Sequence, residues 1–181
     1  MATEISATAV KELREKTGAG VMDCKKALQE ANGNLDRAVE ILREKGALTL
    51  AKKLDREANQ GIIDTYIHAG GRIGAMVELN CETDFVARTE DFRKLAHDIA
   101  MQVAAMSPQY VRSDEVVDGD APEERILMKQ AFIKDPKRTI EQLIHEAVGK
   151  LNENIQIRRF VRFEVGAPEP GATPEDASAE S

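Results

Sequence analysis

The stretch GIIDTYIHAGGRIGAMVELNC, residues 61–81, decides the fold. Before it, apolar residues recur every three or four positions; within it they alternate. Gly61 to His68 is expected to be a strand, Ala69-Gly70-Gly71 a turn, and Arg72 to Cys81 a second strand with Ile73, Ala75, Val77 and Leu79 on one face. Two such runs joined by a short glycine-rich link make an antiparallel hairpin. The alternation returns at Ile155 to Val165. There Ile155, Ile157, Val161, Phe163 and Val165 stand opposite Gln156, Arg158, Phe160, Arg162 and Glu164. This third strand is expected to close an antiparallel sheet with helices on one side, an α+β core spanning residues 61–166.

Upstream, the chain reads as three short helices. The first covers Ala7 to Lys16, with Ser6 as N-cap and Val10 and Leu13 on its inner face. Thr17-Gly18-Ala19-Gly20 interrupts it, and a second helix runs from Val21 to Ala31 with Val21, Cys24, Leu28 and Ala31 on one side. After Asn32-Gly33-Asn34, a third helix extends from Leu35 to Lys45, with Gly46 placed as its stop. Residues 1–46 thus form a small helical module. Ala47 to Gln60 repeats a helical spacing, Leu48, Ala51, Leu54 and Ala58, and is expected to be a separate connector.

Between the hairpin and the last strand, Glu82 to Asp91 reads as a polar link and Phe92 to Met106 as a long helix ended by Ser107-Pro108. Pro122 suits the first turn of a short helix through Lys129, and Lys134-Asp135-Pro136 breaks the chain again. Thr139 with Gln142 fits a capping box for a helix to Leu151. The tail, residues 167–181, is proline, alanine and acid and is expected to be disordered.

Of the 181 residues, 42% are apolar and 31% charged, without a long apolar run, so a soluble protein away from the membrane is expected. The net charge of −7 argues against a broad phosphate-facing surface, and no direct nucleic-acid contact is expected. Four acids lie in the last sixteen residues; the remainder, with 25 basic and 28 acidic residues, is close to balanced. Cys24 and Cys81 form no CxxC pair and read as buried thiols of a reducing compartment. Residues 1–5 resemble neither a signal nor a transit peptide, so the cytoplasm is the expected location.

Little in the chain speaks for bond chemistry. Gly18-Ala19-Gly20 starts like a phosphate loop, but Val21-Met22-Asp23 stands where Gly-Lys-Ser/Thr is needed, and Gly70-Gly71 and Gly74 lie between strands. His68, His97 and His145 have no partner at metal-ligand spacing, so neither a metal nor a cofactor is expected. A thiol hydrolase would have to pair Cys81 with His97 or His68, yet nothing local activates Cys81. Arg158, Arg159 and Arg162 read as a solvated sheet face or a partner contact.

One segment resists a purely structural reading: Cys81-Glu82-Thr83-Asp84-Phe85-Val86-Ala87-Arg88. A lone Phe in a polar link either tucks onto the core or projects as an anchor for another protein, with Asp84 beside it. Composition favours tucking and leaves both open.

Three blocks, VKELREKTGAGVMDCKKAL (10–28), ELNCETDFVA (78–87) and NIQIRRF (154–160), together resemble the elongation factor Ts family, the bacterial guanine-nucleotide exchange factors of elongation factor Tu. The resemblance covers residues 1–166 and is to the family's short form. It implies an N-terminal module similar to ubiquitin-associated domains and a protein with no bond chemistry of its own. It also implies that Thr83, Asp84, Phe85 and Val86 intrude near the partner's Mg²⁺, that Leu13, Arg14, Val21 and Met22 lie against a partner helix, and that His68 is a further contact. Short members pair through their cores, so a homodimer and a 2:2 complex are expected. The chain departs from the family in one respect: Val111 to Phe132 is short. A ubiquitin-associated-like adaptor without exchange activity is the alternative reading; it explains the first block but not the second.

Overall fold

The computed structural model describes residues 5–17, 19–116 and 121–167, and the expected disorder of the tail lies almost wholly outside them. The chain divides into two compact units, residues 1–55 and 56–181.

The first unit holds α1 (Ala7–Thr17), α2 (Val21–Glu30) and α3 (Leu35–Leu54). Ser6 Oγ accepts from the Ala9 amide, and Asn34 Oδ1 accepts from the Arg37 amide, so the first and third helices begin at side-chain caps. Leu13, Cys24, Ala27, Leu28, Ala31, Ala38 and Ile41 close over one another as the unit's core. The expected stop at Gly46 does not occur. The helix runs straight through it to Leu54, absorbing both the third helix and most of the expected connector. A glycine inside a helix costs about 1 kcal/mol relative to alanine, and the good helix formers on both sides, Leu42 to Lys45 and Ala47 to Leu48, outweigh it.

The second unit is α+β. Strands β1 (Gln60–Ile67), β2 (Ile73–Cys81) and β5 (Ile155–Glu164) form an antiparallel sheet in the order β1-β2-β5. The link between β1 and β2 turns at Gly70 and Gly71, whose φ values of 89° and 67° suit glycine, and the His68 amide donates to the Ile73 carbonyl. Gly61 is required for a different reason: a Cβ there would stand 2.2 Å from the Leu79 carbonyl oxygen. Helix α5 (Glu90–Met106) covers the inner face, burying Phe92, Ala96, Ile99, Ala100 and Val103. Helix α6 (Ile140–Leu151) begins at the expected capping box, Thr139 with Gln142.

Three expectations are corrected here. The polar link contains α4 (Asp84–Ala87), a four-residue helix capped by Thr83, and α5 starts two residues early because Thr89 caps it. The short helix after Pro122 is two 3₁₀ turns, Glu123–Arg125 and Leu127–Lys129, interrupted at Ile126, whose backbone is extended. Beyond it lies an unexpected hairpin of β3 (Ala131–Phe132) and β4 (Asp135–Thr139), tied to α5 by Gln102. The buried Gln102 amide donates to the Ala131 carbonyl at 3.0 Å and accepts from the Ile133 amide at 2.9 Å.

The last strand also departs from its simple alternation. Glu78 pairs with Arg159 and Leu79 with Ile157, which leaves Arg158 as a bulge and reverses the faces beyond it. Ile155 and Ile157 point inward as expected, but Val161 and Phe163 turn outward and Phe160 and Arg162 turn in. The Arg162 guanidinium finds partners there, donating to the Ala104 carbonyl at 3.0 Å and pairing with Glu164 at 2.7 Å.

Candidate functional site

The site is built at the end of β2, where the strand must turn into α5. Cys81 is the last inward residue of the strand and is fully buried; its thiol donates to the Thr83 carbonyl at 3.1 Å. Burial first, and the Glu153 charge second, push that thiol up to about 11, so it stays a neutral donor and a poor nucleophile. The histidines that a thiol hydrolase would need lie elsewhere. The His97 ring packs edge-on against Tyr66 at 5.7 Å. Tyr66 pairs with Ala75, six residues back along β2 from Cys81, which is about 20 Å of strand.

Thr83 begins α4 in extended conformation, and its hydroxyl accepts from the Val86 amide as the helix cap. With only four residues, α4 has two that anchor it, the half-buried Val86 and the buried Ala87. The opposite side carries Asp84 and Phe85. Asp84 pairs with Arg88 at 2.8 Å, one turn on, in a solvent-exposed bridge. Phe85 is 82% exposed. Of the two readings its sequence left open, projection is the one the fold adopts.

The remaining candidates separate into groups. In the helical unit, Val21 (51% exposed) and Met22 (62%) open α2 as an apolar pair on the surface, and Arg14 on α1 is exposed as well. Leu13 is not available at the surface: it is fully buried in the unit's core. Val21, expected on one side of the helix with Cys24, Leu28 and Ala31, is exposed where those three are buried. His68 is exposed at the hairpin turn, with Tyr66 Oη 3.4 Å from its Nδ1. The register places Gln60 beside Cys81 and Ile67 beside Gly74, so His68 and the Thr83–Val86 segment sit at opposite ends of the hairpin.

Sequence reasoning missed Glu153. Its carboxylate accepts hydrogen bonds from the Glu82 and Thr83 amides and from the Thr83 hydroxyl. Seventy residues separate it from Thr83, and no local pattern marks it.

These features define a two-unit α+β protein whose candidate site is a projecting surface element. No helix among the described residues is long and apolar enough to cross a membrane. The family model for elongation factor Ts matches residues 1–125 and 119–167. The two spans overlap at residues 119–125. Elongation factor Ts of Thermoanaerobacter sp. strain X514 is 47% identical over 194 aligned positions, covering 90% of this chain and 95% of the relative. That of Thermodesulfovibrio yellowstonii is 49% identical over 90% of this chain and 96% of its own, and that of Desulforamulus reducens 48% over 90% of each. The chain belongs to the elongation factor Ts family, a family of translation elongation factors.

Proposed function

We propose that the protein is a guanine-nucleotide exchange factor that binds GDP-bound elongation factor Tu and promotes GDP release. The observation that carries this reading is Phe85, a large aromatic that the fold holds in solvent on a short capped helix instead of burying it. An exposed aromatic of this kind gains its burial on a partner. An exchange factor binds the nucleotide-free partner more tightly than the nucleotide-bound one, and by linkage it weakens nucleotide binding by the same factor. Nucleotide phosphates are held by backbone donors and Mg²⁺, so a wedge that disturbs the partner's metal surroundings is an effective lever. Phe85 supplies the wedge and Asp84 the charge directed at the metal side. Thr83 and Val86 support them from within the turn. Arg14, Val21 and Met22 form a second contact, with Leu13 in the core of the same helical unit, and His68 a third.

The core unit further supports pairing into a homodimer, and hence a 2:2 complex. Beyond the Arg158 bulge the outer sheet face is apolar, with Ile67, Met76, Val161 and Phe163 all exposed. The decisive measurement is release of fluorescent GDP from elongation factor Tu with and without the protein. Acceleration at catalytic amounts supports the reading. Unchanged release with intact binding to a ubiquitin-like protein would favour the adaptor.

A further inference from the structure

The turn that carries Phe85 is anchored by only two of its own residues, the half-buried Val86 and the buried Ala87. A four-residue helix lies far below the length at which helices persist alone, and Phe85 contributes no burial to it. Yet the segment is tied down from a distant part of the chain. Strands β2 and β5 end their pairing at Cys81 and Ile155, and past that point the Glu82 and Thr83 amides have no strand to bond. Glu153 stands there instead. It follows Asn152, whose left-handed φ of 63° ends α6 and turns the chain back toward β2.

Both carboxylate oxygens of Glu153 are used. Oε2 accepts from the Glu82 amide at 3.1 Å and the Thr83 amide at 3.0 Å, while Oε1 accepts from the Thr83 hydroxyl at 2.6 Å. The bracing is reciprocal: Glu82 Oε1 accepts from the Asn154 amide at 2.6 Å and faces Arg56 at 3.5 Å. The Thr83 hydroxyl that donates to Glu153 also caps α4 by accepting from the Val86 amide at 3.4 Å. A continuous path of hydrogen bonds therefore runs from Glu153 to the residue next to Phe85. Bonds to a carboxylate are stronger than those between neutral groups, and three of them converge on two residues.

We infer that Glu153 is a positioning residue for partner engagement, which holds the Thr83–Val86 turn so that Phe85 is presented already ordered. The inference rests on the exchange-factor reading and names the residue on which that site depends. Thr83 in this arrangement belongs to the scaffold, since its hydroxyl is committed on both sides. Pre-ordering a docking element raises effective affinity because the ordering entropy is not lost on binding.

The test uses the full chain with Glu153→Ala, Glu153→Gln, Phe85→Ala and the Glu153→Ala/Phe85→Ala double variant. Deuterium uptake of backbone amides and GDP release from elongation factor Tu are measured on the same preparations. In Glu153→Ala, the Glu82, Thr83 and Val86 amides should exchange at least about tenfold faster, with the Ile99 and Val103 amides of α5 unchanged. GDP release should slow about fivefold or more, and Glu153→Gln, which keeps an acceptor for the two amides, should recover most of that loss. The double variant should be no more than about twofold slower than Phe85→Ala, because a residue that acts through Phe85 has nothing left to position. Wild-type release in Glu153→Ala, losses that multiply in the double variant, or equal loosening of α5 would each overturn the inference. If the wild-type protein itself leaves GDP release unchanged, the exchange reading fails, and the amide pattern alone decides whether Glu153 holds the turn.

Discussion

Phe85 and Cys81 are four residues apart and have opposite fates, and each makes a prediction at the scale of one side chain. Phe85 is almost fully exposed, so Phe85→Ala should leave the melting temperature nearly unchanged, whereas truncating a buried Phe costs about 3–5 kcal/mol. The same substitution should slow catalysed GDP release by about tenfold or more, equivalent to ~1.4 kcal/mol of lost transition-state binding. Asp84→Ala should act in the same direction and, on the proposed mechanism, less so in excess EDTA, which would strip the partner's metal. Its bridge to Arg88 is a surface pair that adds little to stability, so an exchange defect there reports on docking. Cys81, with its thiol raised to about 11 from an ordinary 9, should react with a thiol reagent at pH 8 at least about a hundredfold more slowly than in the unfolded chain. The sign of its contribution to stability follows. Between pH 9 and 11 the unfolded thiol loses its proton while the native one keeps it, so this contribution is complete below about 9 and declines as pH rises toward 11. Equilibrium unfolding in urea across that range checks it, with Cys81→Ala expected to flatten the decline.

At the scale of elements, the contrast between α3 and β5 marks what local pattern can and cannot convey. The β1–β2 hairpin, the Ser6 cap and the Thr139–Gln142 capping box were legible because each depends on neighbours within a few residues. Gly46 was misread because a stop signal is only a preference, and the formers around it win. That gives a clean test. Gly46 sits exposed inside α3, where a Cβ would meet nothing within 4 Å, so Gly46→Ala should stabilise the helical unit by about 0.5–1 kcal/mol and raise its melting temperature. Unchanged or lower melting would mean that the glycine serves a bend or a contact instead. The face reversal in β5 was not legible at all. It arises from one unpaired residue, Arg158, whose place depends on register against β2, and alternation read along a single strand carries no register. For the site, the exposed segment could be singled out but not oriented, since the turn that carries Phe85 is built from the Thr83 cap, the buried Ala87 and hydrogen bonds to Glu153, seventy residues away.

At the scale of the whole molecule, the bulge has a consequence larger than one strand. Had β5 alternated without interruption, Val161 and Phe163 would lie beneath α5. Instead they join Ile67 and Met76 on the open face of the sheet, in the rows Ile67–Gly74–Phe163 and Thr65–Met76–Val161. Phe163 is 67% exposed, and the Ile67 side chain lies over Gly74, where a Cβ would stand 2.7 Å from its Cδ1. The neighbouring row, Ile63–Glu78–Arg159, carries the exposed Ile63 on β1 and borders the β5 side of the patch with the Glu78–Arg159 ion pair at 2.7 Å. An apolar patch with a charged border suits burial against a second copy, because a two-fold axis through it sets the same surface against itself. Light scattering should therefore give about twice the 19.9 kDa chain mass. Phe163→Glu should return the protein to a monomer while leaving its circular dichroism intact, since a change at an exposed position usually costs the fold within about 0.5 kcal/mol. A wild-type monomer at working concentration would remove the dimer. A Phe163→Glu protein that still pairs would move the interface off this face.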